Sequence, residues 1–193
     1  MSKRSRIDDL PRANRHVGAA SNIRSKGEGE LFDLLESRPQ PLLLVLDQVQ
    51  DPHNLGACLR TANAAGVDAV IAPADRSASI TEAVRRIACG GAENTPFVQV
   101  TNLARCLDKL KEIGIWIVGT ADEAGRDYFE LDLKGPVALV LGSEGVGLRR
   151  LTRERCDFLA RVPMRGKVEC LNVSVAAGVC LFEAVRQRSR MKS

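Results

Sequence analysis

Short apolar runs alternate with helical segments along most of this chain, and this alternation limits the fold more than any other feature. The runs 42–46 and 137–141 contain only apolar residues. Such strands are buried on both faces, as in the centre of a parallel sheet. The pattern predicts an α/β fold, a doubly wound and mostly parallel sheet with helices on both faces. The other predicted strands are 69–71, 97–100, 115–118 and 158–162, and the predicted helices are 31–35, 54–65, 81–89, 103–113, 148–155 and 172–188.

Composition narrows the class of protein. The chain has 193 residues, 45% of them hydrophobic, which suffices for one well-buried domain. No apolar run could span a bilayer and no signal segment follows the basic N-terminus, so we expect a cytoplasmic protein without membrane contact. Six cysteines form no CxxC pair and only two histidines are present, so no metal site is expected.

Positive charge is concentrated at both ends. Residues 1–28 carry seven basic and three acidic side chains, and the segment after Glu183 carries four basic side chains and no acid. Residues 1–28 lack apolar periodicity, so we predict a flexible basic arm or linker remnant there, followed by one domain at 29–193. Basic termini suit a polyanion such as RNA, whereas solubility or plain terminal disorder are equally open explanations.

The carboxyl ends of the predicted strands indicate where a ligand binds. Sheets of this kind bind ligands in the crevice beyond those ends. The candidate loops are 47–54, 119–124, 142–147 and 163–171.

Two of the candidate loops adjoin helices with informative polar residues. Asn54 is placed to cap the helix 54–65, with Gly66 as its stop, and Arg60 is the only charged residue of that helix. Arg60 could simply face solvent or could bind a phosphate or carboxylate. In the last loop, Asn172 or Ser174 could serve as an ordinary helix cap.

The loop after the fifth predicted strand is rich in glycine. Gly142 and the glycines that follow could form only a tight strand–helix turn, or they could cradle a nucleotide. Their order matches neither the dinucleotide fingerprint nor a Walker loop. Glu144 stands among them, where a carboxylate is either exposed or paired with a cation.

Taken together, the three segments resemble the motifs of the SpoU/TrmH (SPOUT) family of RNA 2′-O-ribose methyltransferases. The motifs are Asn-x-Gly-Ala-x-x-Arg-Thr-Ala at 54–62, Leu-Gly-Ser-Glu-Gly-x-Gly-Leu at 141–148 and Leu-Asn-Val-Ser-Val-Ala at 171–176. The resemblance covers about residues 40–189. Within the family, the chain is similar to bacterial enzymes that methylate a guanosine 2′-hydroxyl in 23S ribosomal RNA.

The resemblance implies a fold, a cofactor and a set of site residues. The fold would contain a deep trefoil knot near the C-terminus, and knots are otherwise almost absent from proteins. S-adenosyl-methionine would bind backbone groups near Thr120, Gly142, Val162 and Leu171, without a metal. Arg60, Glu144, Asn172 and Asn54 would form the catalytic set. Arg60 would bind the target phosphate and stabilise the developing alkoxide, Glu144 would orient Arg60 or the ribose, and the two asparagines would hold the loops and substrate.

The resemblance also implies a homodimer with the active site at the subunit junction. We predict that Leu181 and Val185 on the last helix form an apolar stripe beyond the needs of one core. A transfer-RNA 2′-O-methyltransferase and a non-catalytic RNA-binding module of the same fold are the alternatives.

The chain departs from the family pattern in two ways. Similar enzymes usually carry an extra N-terminal RNA-binding domain, whereas only about forty residues precede the first strand here, as in a truncated or a natural short form. Small hydroxyl residues usually precede Leu-Asn in the third motif, but this chain has Glu169 and Cys170 there.

Overall fold

Six parallel strands form the centre of the computed structural model, which describes residues 25–189. The sheet order is β3-β2-β1-β5-β4-β6. The strands are β1 (Leu42–Asp47), β2 (Ala69–Pro73), β3 (Phe97–Val100), β4 (Trp116–Thr120), β5 (Val137–Gly142) and β6 (Phe158–Ala160). All five strand pairings are parallel, so the predicted α/β sheet is confirmed.

Seven α-helices and one short 3₁₀ helix, Tyr128–Glu130, are found among the described residues. The α-helices are α1 (Glu28–Glu36), α2 (Pro52–Ala64), α3 (Glu82–Ala88), α4 (Gly91–Asn94), α5 (Leu103–Glu112), α6 (Arg150–Arg155) and α7 (Val173–Ser189). The predicted helices do not include α4, because a single turn of helix is too short to show a periodic pattern.

Helices cover both faces of the sheet. Leu44 and Leu46 of β1 belong to a core cluster with α2, α3 and α7, whereas Leu43 and Val45 belong to a second cluster with α1 and α5. This division follows from the alternation of side chains along a strand. Because every residue of β1 is buried, the strand can tolerate no polar position along its centre.

Two predicted element boundaries differ from the structure for identifiable reasons. The helix predicted from 148 begins at Arg150, because Arg149 has an extended backbone and donates its N–H to the Asp47 carboxylate. The strand predicted to reach 162 ends at Ala160, because Arg161 pairs with Asp127 instead.

Part of the predicted arm is attached to the domain. Lys26 forms a parallel bridge with Val98, and Glu28 begins α1 and contacts Lys109 at 2.7 Å. The remainder of the predicted arm, residues 1–24, lies outside the described residues.

The predicted apolar stripe on the last helix is wrong in its composition. Leu181 is fully buried in the core of this single chain, and Val185 is half-buried. The exposed apolar side chains of α7 are Val175 and Phe182, seven residues apart and therefore on one face. Among the described helices, none is long and apolar enough to cross a bilayer.

The basic residues near the end of α7 have partners within the domain. Arg186 forms an ion pair with Glu183, and Arg188 donates hydrogen bonds to backbone carbonyls. The charge at this end is therefore less available to a polyanion than the sequence suggests.

Candidate active site

A cavity of about 310 Å³ lies beyond the carboxyl ends of β4 and β5. Segments from three of the four candidate loops line it, namely 120–123, 142–147 and part of 163–171. The fourth loop, 47–54, does not line the cavity but reaches its edge through Asn54. The cavity is at the position that parallel α/β sheets favour for ligands, since β1 and β5 are neighbours from which the strand order runs in opposite directions.

All four residues predicted to bind the cofactor line this cavity: Thr120, Gly142, Val162 and Leu171. Gly142 is required by packing, because an added Cβ would lie 2.2 Å from the carbonyl carbon of Gly147. The loop therefore folds back on itself as a narrow hairpin, closed by a hydrogen bond of 2.9 Å from the Gly147 N–H to the Ser143 carbonyl.

A cluster of two amides and one carboxylate stands beside the cavity. Glu144 Oε1 accepts hydrogen bonds from Asn172 Nδ2 at 2.5 Å, from Asn54 Nδ2 at 3.2 Å and from the Val173 backbone N–H at 3.4 Å. Asn172 Nδ2 also donates to Asn54 Oδ1 at 3.0 Å. The structure thus brings together three of the four predicted catalytic residues, which come from the first turn of α2, the loop after β5 and the start of α7.

Asn172 is both a helix cap and a member of the cluster. Its Oδ1 accepts from the Ser174 backbone N–H at 2.9 Å, which is the geometry of an N-terminal cap on α7. Because a backbone N–H can only donate, it fixes which end of the amide is oxygen and turns Nδ2 toward Glu144. The predicted cap is confirmed, and capping orients the functional contact.

Asn54 does not cap α2, contrary to the sequence prediction. The cap is Asp51, whose side chain accepts from the His53 N–H at 3.0 Å. Pro52 follows as the first helical residue, a position that suits its fixed backbone angle and its lack of an N–H. Asn54 therefore lies within the first turn, and its side chain is free to contact Glu144 and Asn172.

Arg60 stands apart from the other three residues. It lies six residues after Asn54 on α2, about 9 Å along the helix axis and on a different face. Its side chain is exposed and has no hydrogen bond or ion pair with any residue in 25–189. The prediction that Glu144 could orient Arg60 is not met within one chain, because the two side chains do not contact each other.

Several charged residues that line the cavity were not predicted from the sequence as site residues. Asp122, Glu123 and Glu169 line it together with Arg153, which forms an ion pair with Glu123. A hydrogen bond from its own backbone amide, together with Arg153, holds the pKa of Glu123 below its usual value. The available signal was position, since Asp122 and Glu123 follow directly after β4. No group of three or more metal-ligating side chains occurs in the part of the chain that the structure describes.

Comparison with known proteins places these loops in a family. The SpoU rRNA Methylase family model matches residues 41–182, which include the whole sheet and all three motifs. The chain belongs to the SpoU rRNA methylase family. Its motif residues Asn54, Glu144 and Asn172 are thus the ones that meet at the cavity.

Individual relatives of this SpoU-family chain are similar over most of its length. The 23S rRNA (guanosine-2′-O-)-methyltransferase RlmB of Pseudomonas aeruginosa is 64% identical over 92% of this chain and 73% of its own length. The protein of that name from Coxiella burnetii is 60% identical over 89% of this chain and 69% of its own length.

Solved structures of SpoU proteins share the fold. The SpoU methyltransferase AviRb from Streptomyces viridochromogenes, solved with the cofactor AdoMet, has a TM-score of 0.75 and 30% identity, covering 82% of this chain and 64% of that one. The TrmH/SpoU tRNA modifying enzyme of A. aeolicus has a TM-score of 0.73 and 32% identity, covering 86% of this chain and 84% of that one.

Proposed function

We propose that this SpoU-family chain transfers a methyl group from S-adenosyl-methionine to the ribose 2′-hydroxyl of a guanosine in 23S ribosomal RNA. The observation that carries the proposal is the cluster of Asn54, Glu144 and Asn172 beside a cavity that contains all four predicted cofactor contacts. A non-catalytic RNA-binding module would not need a carboxylate held by two amides at the edge of a ligand cavity.

The cavity has the chemistry that the cofactor needs. Leu141, Val162, Leu171 and Ala176 offer apolar walls for an adenine ring. The carboxylates of Asp122, Glu123 and Glu169 offer acceptors for ribose hydroxyls, an amino group or a positive sulfonium. When bound, S-adenosyl-methionine supplies an electrophilic methyl group. Thr120 and Gly142 lie at the ends of two neighbouring strands and form the base of this site.

Glu144 is suited to position the ribose. Its three hydrogen bonds all end on Oε1, so Oε2 has no partner among the described residues. We assign Oε2 the role of accepting a hydrogen bond from the ribose 2′-hydroxyl, which aligns the hydroxyl oxygen for attack. Asn54 and Asn172 fix the carboxylate in this orientation.

Arg60 has the role of an electrostatic partner to the substrate. A guanidinium remains protonated and cannot act as a base. It can bind the phosphate next to the target ribose and stabilise negative charge as the hydroxyl loses its proton. Its distance from Glu144 in one chain supports an arrangement in which Arg60 completes the site of a second copy.

A homodimer would provide that arrangement. Gly178 of α7 contacts Thr61 of α2, since an added Cβ would lie 3.7 Å from Thr61 Cγ2. Arg60, next in sequence to Thr61, therefore lies near the α7 face that exposes Val175 and Phe182. We propose that this combined surface is the dimer interface, with the active site at the subunit junction.

The path of the chain supports the implied trefoil knot. Strand β6 is at the edge of the sheet, whereas α7 packs against α2 and β5 at its centre. The segment 161–172 must therefore return across the carboxyl ends of β4 and β5, where the cavity lies. A knot formed by this return would hold the third motif against the other two.

The remaining assignments concern the whole chain. We propose that the methyltransferase domain begins before Lys26, because Lys26 and Glu28 contact it. We also propose that the basic residues that precede it add phosphate contacts, and that the protein works in the cytoplasm on ribosomal RNA. The high identity to proteins named for 23S RNA favours that substrate over transfer RNA. The A. aeolicus protein is named as a tRNA modifying enzyme, which makes tRNA the second candidate substrate.

The test is the transfer of tritiated methyl groups from S-adenosyl-methionine to unmodified 23S RNA fragments and to transfer RNA. We expect incorporation at a guanosine 2′-hydroxyl of the 23S fragment and little in transfer RNA. Glu144→Gln should lower the rate by at least about tenfold. Glu112→Gln, at an exposed acid at the end of α5, is the matched control and should retain the rate. Preferential labelling of transfer RNA would select the second candidate, and no labelling of either RNA would contradict an enzymatic role.

A further inference from the structure

The only buried charged residue among residues 25–189 is Asp47, at the end of β1. The Asp47 side chain is 0% exposed. Its Oδ2 accepts from the Arg149 backbone N–H at 2.9 Å, and its Oδ1 accepts from Arg149 Nε at 2.7 Å. A buried carboxylate needs such partners, because an unpaired charge is strongly destabilising away from water. The contact joins β1 to a residue 102 positions later in the chain.

Asp47 lies at the base of the hairpin that carries Glu144. In the sheet, Asp47 is opposite Gly142, which is the residue before the hairpin 143–147. Arg149 follows the hairpin on its other side. The hairpin itself contains two glycines with positive φ, Gly145 at 76° and Gly147 at 71°, so its backbone has few intrinsic restraints. Asp47 therefore holds both ends of a segment that could otherwise shift.

Asp47 also begins the loop that leads to Asn54. Gln48, the next residue, has a φ of 64°, an uncommon conformation for a residue with a side chain. Such a conformation persists only where neighbouring contacts impose it. The Asp47 carboxylate, held by Arg149, fixes the residue that precedes this turn, so one side chain links the loop of Asn54 to the loop of Glu144.

We propose that Asp47 and Arg149 are positioning residues for methyl transfer. They hold the hairpin 143–147 in the position where Glu144 Oε1 accepts hydrogen bonds from Asn54 and Asn172. In that position Oε2 is oriented toward the ribose. The catalytic role of Glu144 rests on the proposed function, but the link between Asp47 and the hairpin does not. Removing the pair displaces Glu144 without touching substrate or cofactor contacts directly.

The chain contains two acids with the same bonding pattern but no link to the cavity. Asp68 accepts from the Leu42 N–H at the start of β1 and pairs with Arg38. Asp157 accepts from the Ile117 N–H near the start of β4 and pairs with Lys111. Both lie at the amino edge of the sheet, opposite the active-site loops. Substituting either acid therefore measures how much such a pair contributes to stability when it has no link to the active-site loops.

The first experiment compares Asp47→Asn with Asp68→Asn in methyl transfer to 23S RNA fragments. The RNA and S-adenosyl-methionine are both present at saturating concentrations. Asp47→Asn should lower kcat by about tenfold to a hundredfold, because a displacement of about 1 Å has effects of that size. KM for RNA should change by less than about threefold, since the RNA contacts remain. Asp68→Asn should lower thermal stability but leave kcat nearly unchanged. Equal losses of kcat in the two variants would show that the pair contributes only to stability.

The second experiment does not depend on activity. Hydrogen–deuterium exchange of the unliganded protein should be faster at residues 143–149 in Asp47→Asn and unchanged there in Asp68→Asn. If the wild type transfers no methyl group, the proposed function fails while this measurement still tests the hairpin link. If Asp47→Asn does not fold, Arg149→Lys replaces it, since lysine keeps the charge and the backbone N–H but loses the Nε contact. Unchanged exchange at 143–149 in Asp47→Asn, or in Arg149→Lys where that variant replaces it, would overturn the proposal.

Discussion

At the scale of the residue, the active-site arrangement depends on side chains that satisfy a structural and a functional requirement at once. Asn172 caps α7 through Oδ1 and holds Glu144 through Nδ2. Gly56, inside the first motif, allows α2 to approach α3, since an added Cβ would lie 2.8 Å from Ile87 Cβ. Motif residues therefore need not touch a ligand to be required.

Arg60→Ala should separate catalysis from cofactor binding. Arg60 is exposed on α2 and does not line the cavity, so affinity for S-adenosyl-homocysteine should stay near the wild-type value. Methyl transfer should fall by at least about a hundredfold, because a charge that stabilises the reacting oxygen is lost. Calorimetry and tritium transfer measure the two effects. Arg86→Ala, at an exposed arginine of α3, should change neither, and a parallel loss of cofactor affinity in Arg60→Ala would contradict the assignment.

The six cysteines should divide into two reactivity classes. Burial raises the pKa of Cys58, Cys106, Cys156 and Cys180 to about 12, so these thiols have almost no thiolate at pH 8. Cys89 and Cys170 are exposed, and Cys170 lines the cavity. Iodoacetamide should modify the latter two in the folded protein, as read by mass spectrometry.

Cofactor binding should then distinguish the two exposed thiols. S-adenosyl-homocysteine should protect Cys170 from alkylation and leave Cys89, on the far end of α3, as reactive as before. Equal labelling of Cys170 with and without the ligand would argue that the cofactor occupies another part of the molecule.

At the scale of the element, α7 is fastened at both ends by polar contacts. Asn172 holds its start beside the cavity. Near its end, the Arg188 guanidinium donates to the carbonyls of Leu133, Gln40, Pro41 and Gly135. Burial lowers the pKa of Arg188, because the guanidinium loses solvent that favours its charged form. Gln187 accepts a hydrogen bond from the Leu133 N–H and donates one to the Leu131 carbonyl. The helix is thus held against two loops at the amino edge of the sheet.

Arg188→Ala should lower the free energy of unfolding by about 2 kcal/mol, since several carbonyls lose a charged donor at once. Arg186→Ala is the matched control two residues earlier, because the Arg186 side chain is exposed and its one partner within residues 25–189 is Glu183 on its own helix. Denaturant unfolding should show little change for that variant. Similar losses in both variants would mean that helix propensity, rather than the carbonyl contacts, sets the effect.

At the scale of the whole molecule, the proposed dimer depends on the exposed face where α7 meets α2. Val175 is 51% exposed and Phe182 is 49% exposed, close to Gly178 where the two helices meet. Arg60 lies next to this face and lacks a partner among the described residues. A second copy placed there would bury the apolar side chains and bring Arg60 toward another active site.

Phe182→Glu should convert the protein to a monomer and reduce methyl transfer, because a charge at the centre of an apolar interface is left without a partner. Phe129→Glu is the matched control, since Phe129 is exposed to nearly the same extent, 47%, but lies on the 3₁₀ helix. Light scattering at tens of micromolar measures the mass of each variant. A wild-type protein that is already monomeric under those conditions would rule out the dimer.

Most of the elements and their class follow from local patterns in the sequence. The strand 97–100 is found as predicted and the other strands lie within two residues of their predicted bounds, because most positions of each strand are apolar. The strand pattern also predicted the candidate loops, since segments that follow parallel strands meet at one edge of the sheet. The resemblance of the motifs to the SpoU family then indicated Thr120, Gly142, Val162 and Leu171, four of the residues that line the cavity.

Which side chains contact each other, and which apolar residues remain exposed, depends on how the elements pack in the tertiary structure. Asn54 and Asn172 are 118 positions apart, and their contact follows from the strand order, which no local pattern encodes. Leu181 and Phe182 are neighbours in sequence, yet one is buried and the other exposed, because a helix turns by about 100° per residue and packing selects the face. The Asp47–Arg149 pair was missed for the same reason: a charge at the end of an apolar run becomes a structural contact only when the fold places a guanidinium beside it, here from the residue before α6.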